Sequence, residues 1–409
     1  MKQIRLTNRE QYICYLLFIL EPIIAWLELP GHFGIVSCLF VLFGLYYSRS
    51  KEFRDILMSL PLIVWLILTL YHCGNAMIKH VSGVNYVDVF HGMKIYFCIA
   101  IFVYWAQIDL LKTLKILYRC FFIYLIVVFV LCGGFGSGRL SGVVYATGIG
   151  QTAAVTVFYG AALSFLKRKS YIVFFSYVII PFTVALLSQT RNAIAMIVLV
   201  VLGYFAAVVF RKGLSIIKVI EICAVLLFGA ITLSFVIYNS SLYQRSLEKK
   251  DQDSNSFYMK HNSTGSFFDL VVGDRLVYYV EGWKFFKSSP VTGIGMWGFR
   301  EKYGGDYPLH SEYMVHLCEG GLIAFSLWLF FIFCCAKNIK ELKIDKGYRL
   351  LLSFGLIQFL FCGIYAREFF YEFFYPMIAL FLANPRKIQN QFFCCERKNM
   401  MEIVENRKK

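Results

Sequence analysis

The sequence predicts an all-α, polytopic integral membrane protein with about twelve transmembrane helices. Three observations carry that prediction. Apolar and aromatic residues (AVILMFWYC) make up 59% of the chain and charged residues only 16%, against about 25% charged in soluble domains. The apolar residues fall into runs long enough to cross a bilayer, which takes roughly 20 residues. The runs are continuous rather than alternating, which excludes a transmembrane β-barrel, the other fold that satisfies every backbone polar group in lipid.

The runs cover residues 12–29, 31–47, 56–72, 86–106, 115–132, 143–166, 171–188, 192–210, 216–238, 310–336, 348–365 and 368–383. Lys2, Arg5 and Arg9 precede the first run and no small-residue cleavage site follows it, so it reads as a retained helix. The loops then separate by charge. One alternate set holds Arg49, Lys51 and Arg54; Lys112, Lys115 and Arg119; Lys167, Arg168 and Lys169; Arg211, Lys212 and Lys218; and Lys337, Lys340, Lys343, Lys346 and Arg349. The short loops of the other set hold only Lys79, Arg139, Arg191 and Arg367. Basic loops stay in the cytoplasm, which predicts that both termini are cytoplasmic and that 384–409 is a basic cytoplasmic tail. Topology and the anionic lipid of the inner leaflet then account for the net charge of +16, without nucleic acid as a partner.

One outer segment is long. Residues 239–309 separate spans one to nine (1–238) from spans ten to twelve (310–383). Its first part, 240–266, is polar. Residues 274–287 have helical periodicity, with Leu276, Tyr279, Trp283 and Phe286 on one face, as expected of a helix lying flat at the membrane interface. A Pro/Gly turn region follows at 289–299, and span ten is expected to start at His310.

Common catalytic signatures are absent. The sequence has no Walker A motif, dinucleotide fingerprint or Gly-x-Ser-x-Gly, and its 13 cysteines lack zinc spacing. The cytoplasmic loops are too short for a nucleotide-binding domain, so no cofactor is expected. What stands out is polar groups at the outer face. Arg139, Arg191 and Arg275 lie where an Arg is costly, about 2.5–3.5 kcal/mol at a helix centre on insertion scales. With His310 they would make an anion site, and the planar fork of Arg suits phosphate. Glu312, His316 and Glu319, at i, i+4 and i+7, share one helix face; they read as a base, a structural anchor or a buried network joining helices. Glu21 and Lys94 are intramembrane charges, and Arg367, Glu368 and Glu372 could pair locally.

Residues 273–325 resemble the signature of O-antigen ligases and O-antigen or capsule polymerases. The matching pieces are Arg275-Leu276, Trp283, Pro290/Gly293/Gly295, His310-Ser311, Glu319 and Gly321-Leu322-Ile323. Arg139-Leu140-Ser141-Gly142 resembles the family's Arg-x-Ser-Gly, and Ser188-Gln189-Thr190-Arg191 its Ser-x-(Ser/Thr)-Arg. Two departures stand out: Ser311 replaces the usual Asn after the His, and Tyr145-Ala146-Thr147 replaces the Asn-Pro-Asn that commonly follows Arg-x-Ser-Gly.

The resemblance implies a GT-C-like helical membrane architecture in the bacterial cytoplasmic membrane. It implies a glycan donor on undecaprenyl diphosphate, a glycan or lipid-linked acceptor, and glycosyl transfer without nucleotide or metal. A chain-length regulator and a flippase are further partners that it suggests. Within that reading Arg191 and Arg275 clamp the diphosphate with Arg139 in support, and His310 is the candidate base, because an imidazole titrates near neutral pH. Glu319, Trp283 and Ser311 are supporting residues. Polymerase is the favoured activity, ligase the alternative, and a polysaccharide flippase or other transporter the rival of a different class.

Overall fold

The computed structural model describes residues 32–81, 86–134, 140, 146–212, 276–303, 309–342, 345–365 and 374–388. Expected spans 12–29 and 216–238, most of the outer loop, Glu21, Arg139, Arg275, Arg367, Glu368, Glu372 and the tail beyond 388 lie outside them. The described residues are helical, without a strand among them. In chain order the helices are α1 (His32–Tyr47), α2 (Lys51–Leu57), α3 (Leu60–Ile78), α4 (Tyr86–Ile108), α5 (Leu110–Leu131), α6 (Ala146–Leu166), α7 (Tyr171–Leu187) and α8 (Arg191–Lys212). After the outer loop come α9 (Leu276–Ser288), α10 (Gly298–Tyr303), α11 (Glu312–Met314), a π-turn at Val315–Glu319, α12 (Gly321–Glu341), α13 (Lys346–Tyr365) and α14 (Tyr375–Leu382).

Among the described residues, six stretches are long and apolar enough to cross a membrane: Leu60–Ile78, Leu110–Leu131, Thr147–Leu166, Asn192–Arg211, Gly321–Glu341 and Lys346–Ile364. Two shorter apolar helices, Gly92–Ile108 and Tyr171–Leu187, accompany them. The fold is therefore an all-α membrane protein. Helix α6 is the most enclosed of the six, buried along nearly its whole length, whereas most of α12 is not. Polar residues survive inside α6 because Thr152 and Thr156 donate to carbonyls one turn back, Gly148 O and Thr152 O, each at 2.7 Å, as short hydroxyls do in a helix. Lys94 is fully buried in α4.

Elementary helix signals set the local boundaries. Pro61 sits in the first turn of α3, where its missing N–H is not needed. Asp109 caps α5, its Oδ1 accepting from Lys112 N at 3.0 Å, so a single residue separates α4 from α5. The segment between α1 and α3 is not a plain loop: Lys51–Leu57 forms a separate short helix, and the next long helix begins at Leu60 rather than near residue 56.

The bundle has two chemically distinct ends. Helices α8 and α13 are antiparallel. Arg211 Nε meets Asp345 Oδ2 at 2.9 Å, Gly347 faces the Ala207 carbonyl and Gly203 faces Phe354. Arg211 Nη1 also donates to Phe165 O at 2.8 Å, which brings the end of α6 to the same place. This end gathers the basic residues at 167–169, 211, 337–340 and 346–349. Lys167 is crowded there: burial, then Lys115, Lys169 and Arg119, lower its pKa. The opposite end holds the start of α8, the end of α13, and the segments around Pro290 and His310.

Candidate functional site at the less basic end

Span ten is not the continuous helix expected over 310–336. Glu312–Met314 is a single α-turn, Val315–Glu319 is a π-turn, and the apolar helix α12 starts only at Gly321. The chain turns at Gly321 with φ +67, a left-handed conformation that glycine adopts without steric cost. A π-turn and break of this kind leave helix carbonyls without their usual donors, which in an apolar setting must be found elsewhere.

The Pro290–Gly295 segment supplies them. Ile294 N donates to Cys318 O at 3.0 Å and Gly295 N to Glu319 O at 2.9 Å, while Leu322 N donates back to Pro290 O at 2.9 Å. The spacing of both glycine motifs follows from this contact. A β-carbon on Gly293 would collide with the Glu319 carbonyl, and one on Gly321 with the Val291 carbonyl. Pro-x-x-Gly-x-Gly and Glu-x-Gly-Leu are thus two halves of one backbone-to-backbone clasp.

Helix α3 locks the clasp from the side. Asn75 Nδ2 donates to Thr292 O at 2.6 Å and Glu319 O at 3.2 Å. Tyr71 Oη donates toward Gly320 O at 3.0 Å or Thr292 O at 3.3 Å. Below it runs a buried chain: His72 Nε2 lies 3.0 Å from His316 Nδ1, and His316 Nε2 lies 2.8 Å from Glu312 Oε1. All three side chains are no more than 1% exposed. A carboxylate, when ionised, only accepts, and His316 Nε2 is then the donor to Glu312. The proton between the two rings then belongs to His72 if His316 is neutral, and to His316 if it is cationic. His316 also stacks on Trp328 of α12, with ring centroids 5.4 Å apart. The face shared by Glu312 and His316 therefore joins α11 to α3 and α12. Glu319 closes the π-turn, its side chain buried and its carbonyl in the clasp.

His310 and Ser311 sit just ahead of this anchor. His310 is partly exposed, and its ring meets Tyr278 of α9 edge-on at 5.6 Å. Ser311 is fully buried. Its hydroxyl donates to Tyr279 Oη at 2.9 Å, and Tyr279 Oη donates to Ile364 O at 2.7 Å. Ser311 thus ties α9 and α13 together behind His310. Trp283 lies on the other side of α9, exposed and 5.0 Å from Phe286; the structure does not bring it to His310. The protein-facing side of α9 is made by Tyr278, Gly282 and Phe285, with Tyr279.

Arg191 opens α8. In the antiparallel pair of α8 and α13, the start of α8 lies at the same end as the last turn of α13, which carries Gly363 and Ile364. That is the turn on which Ser311 and Tyr279 dock. Leu140 N donates to Leu187 O at 3.0 Å, so the chain next to Arg139 also runs past the α7–α8 turn. That turn is set by Gln189 at φ +53 and by Ser188 Oγ donating to Thr190 Oγ1 at 3.0 Å. Tyr71, His72 and Asn75 are the residues that sequence reasoning missed. Their signal was available: three polar side chains within one turn and a half of an otherwise apolar span.

Residues 176–329 match the family model described as O-Antigen ligase. The likeness to the O-antigen ligase family therefore holds. The matched segment contains α8, α9, the glycine clasp, the His310-Ser311 pair and the first part of α12. No curated protein matches the chain. The match indicates O-antigen ligase-type chemistry in polysaccharide biosynthesis, carried out by a multi-pass membrane protein.

Proposed function

We propose that the chain transfers a glycan from undecaprenyl diphosphate at the outer face of the bacterial cytoplasmic membrane, and that it polymerises lipid-linked repeat units into a surface polysaccharide. The observation that carries this reading is the partly exposed imidazole of His310, held by a buried anchor, at the end of the bundle where the Arg191 helix begins. The twelve-span layout with both termini in the cytoplasm belongs to the same reading. So does the assignment of the large outer loop and its interfacial helix to the donor side.

The chemistry is a single displacement. The acceptor hydroxyl oxygen attacks the anomeric carbon while the bond from that carbon to the diphosphate oxygen breaks, inverting the centre. His310 takes the hydroxyl proton, and the electron pair leaves with the lipid diphosphate. Arg191 and Arg275, supported by Arg139, hold that diphosphate. Preorganised cations at the developing charge are usually the largest catalytic term. The donor is already activated, so the step needs neither nucleotide nor metal. Ser311 and Glu319 act by holding the His310 segment.

Transfer of a finished glycan to lipid A–core or another acceptor is the second reading, and the description of the matching family favours it. A gel of surface and lipid-linked glycan from a deletion strain separates the two. Single repeat units accumulating at the expense of long chains supports the polymerase. Long chains retained on the lipid carrier supports the ligase. Unchanged glycan in both fractions would remove both.

A further inference from the structure

The opposite, basic end of the bundle carries a groove with no part in the reading above. It lies between α8, α12 and α13 and has a cavity volume of about 500 Å³. Its body is apolar, lined by Phe210, Leu356, Ile357 and Leu360, and its rim carries Lys340, Lys346 and Arg349. All three helices are long and apolar enough to cross a membrane, and Phe210 and Ile357 are 66% and 46% exposed. In a bilayer those side chains face lipid.

The carboxylates of this turn are committed elsewhere. Asp345 binds Arg211 at 2.9 Å and caps α13 by accepting from Gly347 N at 2.7 Å. Glu341 faces Lys337 at 3.9 Å, a side chain outside the groove. Arg349 is oriented rather than loose: its Nη1 donates to Lys340 O at 3.3 Å, which holds the guanidinium across the last turn of α12. A cationic rim over an apolar trough matches a molecule with an anionic head and a hydrocarbon tail.

We propose that this groove binds an anionic glycerophospholipid, its phosphate among Lys340, Lys346 and Arg349 and one acyl chain along Leu356, Ile357 and Leu360. The inference does not rest on the glycosyl-transfer reading. It concerns the other end of the bundle and is tested without assaying glycan.

The full chain would be reconstituted in nanodiscs of equal phosphatidylglycerol and phosphatidylcholine, released, and its retained lipid counted by native mass spectrometry. The expected result is enrichment of phosphatidylglycerol, falling roughly tenfold in the double variant Lys340→Gln/Arg349→Gln. Lys337→Gln should leave it unchanged. Equal retention of the two lipids, or undiminished enrichment in the double variant, overturns the proposal. So does displacement of the lipid by millimolar inorganic phosphate, which would mark a site for soluble anions. Should the double variant fail to fold, a diazirine-bearing phosphatidylglycerol on the unaltered chain decides the matter. Adducts on the peptide holding Leu356–Leu360 support the groove, and adducts only elsewhere overturn it.

Discussion

Gly293 packs on the carbonyl of Glu319 so closely that a β-carbon would collide with it. The two residues are far apart in the chain, yet each lies in one of its glycine motifs, and their contact is where those motifs meet. Gly293→Ala should therefore do more than strain a turn with φ +69. It should force the Pro290–Gly295 segment off the π-turn and release the carbonyls of Cys318 and Glu319. Positive φ and overpacking together predict a loss of roughly 2–5 kcal/mol. Thermal unfolding in detergent measures it; an unchanged midpoint would refute the clasp.

Asn75 should matter for a different reason. It donates to two carbonyls, Thr292 O and the buried Glu319 O. Asn75→Leu keeps the branched shape and removes both N–H donors; Glu319 O keeps the Gly295 N–H, so the cost is about 1 kcal/mol per lost bond. Asn75→Asp offers only acceptors when ionised and should be worse. Comparing the thermal midpoints of the two variants checks the order; Asp tolerated as well as Asn would mean that the donors are dispensable.

The helical membrane fold was legible in composition and run length because both report directly on what lipid demands of a backbone. The charge bias of alternate loops was equally legible, and the structure collects basic residues from several of them, including Arg211, Lys340, Lys346 and Arg349, at one end. The interruption of span ten was not. Hydropathy averages over a turn, and 310–336 is apolar enough to pass for one helix. Only the Gly320-Gly321 pair, next to Glu319, marked the break. Asn75 and His72 stand out locally as polar groups in an apolar span, but their partners lie more than 200 residues away, and no local spacing reveals those partners.

Glu312 and His316 form the buried pair that His72 completes. Breaking it from one side should be costly, since the partner is left in an apolar interior. Glu312→Ala should lower stability by about 1–3 kcal/mol, the cost of leaving the buried His316 N–H without its acceptor. The double change Glu312→Leu/His316→Leu removes both polar groups and should recover part of the loss. Thermal midpoints of the single and double variants give the test. A double variant no better than the single would show that the pair does not act as a unit.

His310 and Ser311 are adjacent, but the structure gives them opposite surroundings, and their variants should separate accordingly. Ser311 is buried and linked through Tyr279 to the Ile364 carbonyl. Ser311→Ala deletes one neutral hydrogen bond, about 1 kcal/mol, and should reduce transfer no more than a few-fold. His310→Ala should cost less stability than a change in the buried anchor, since that side chain is partly exposed beside Tyr278. As a general base it should carry a factor of roughly 10²–10⁴ in rate. Arg191→Lys tests the third element: it keeps the charge and loses the planar fork, so a strong loss would indicate two-point contact with the diphosphate, and full activity a role for charge alone. The readout is transfer from a purified lipid-linked donor, with variant abundance and thermal midpoint measured in parallel. If His310→Ala kept normal transfer at normal abundance, the imidazole would be no base, and the acceptor proton would have to leave by another group.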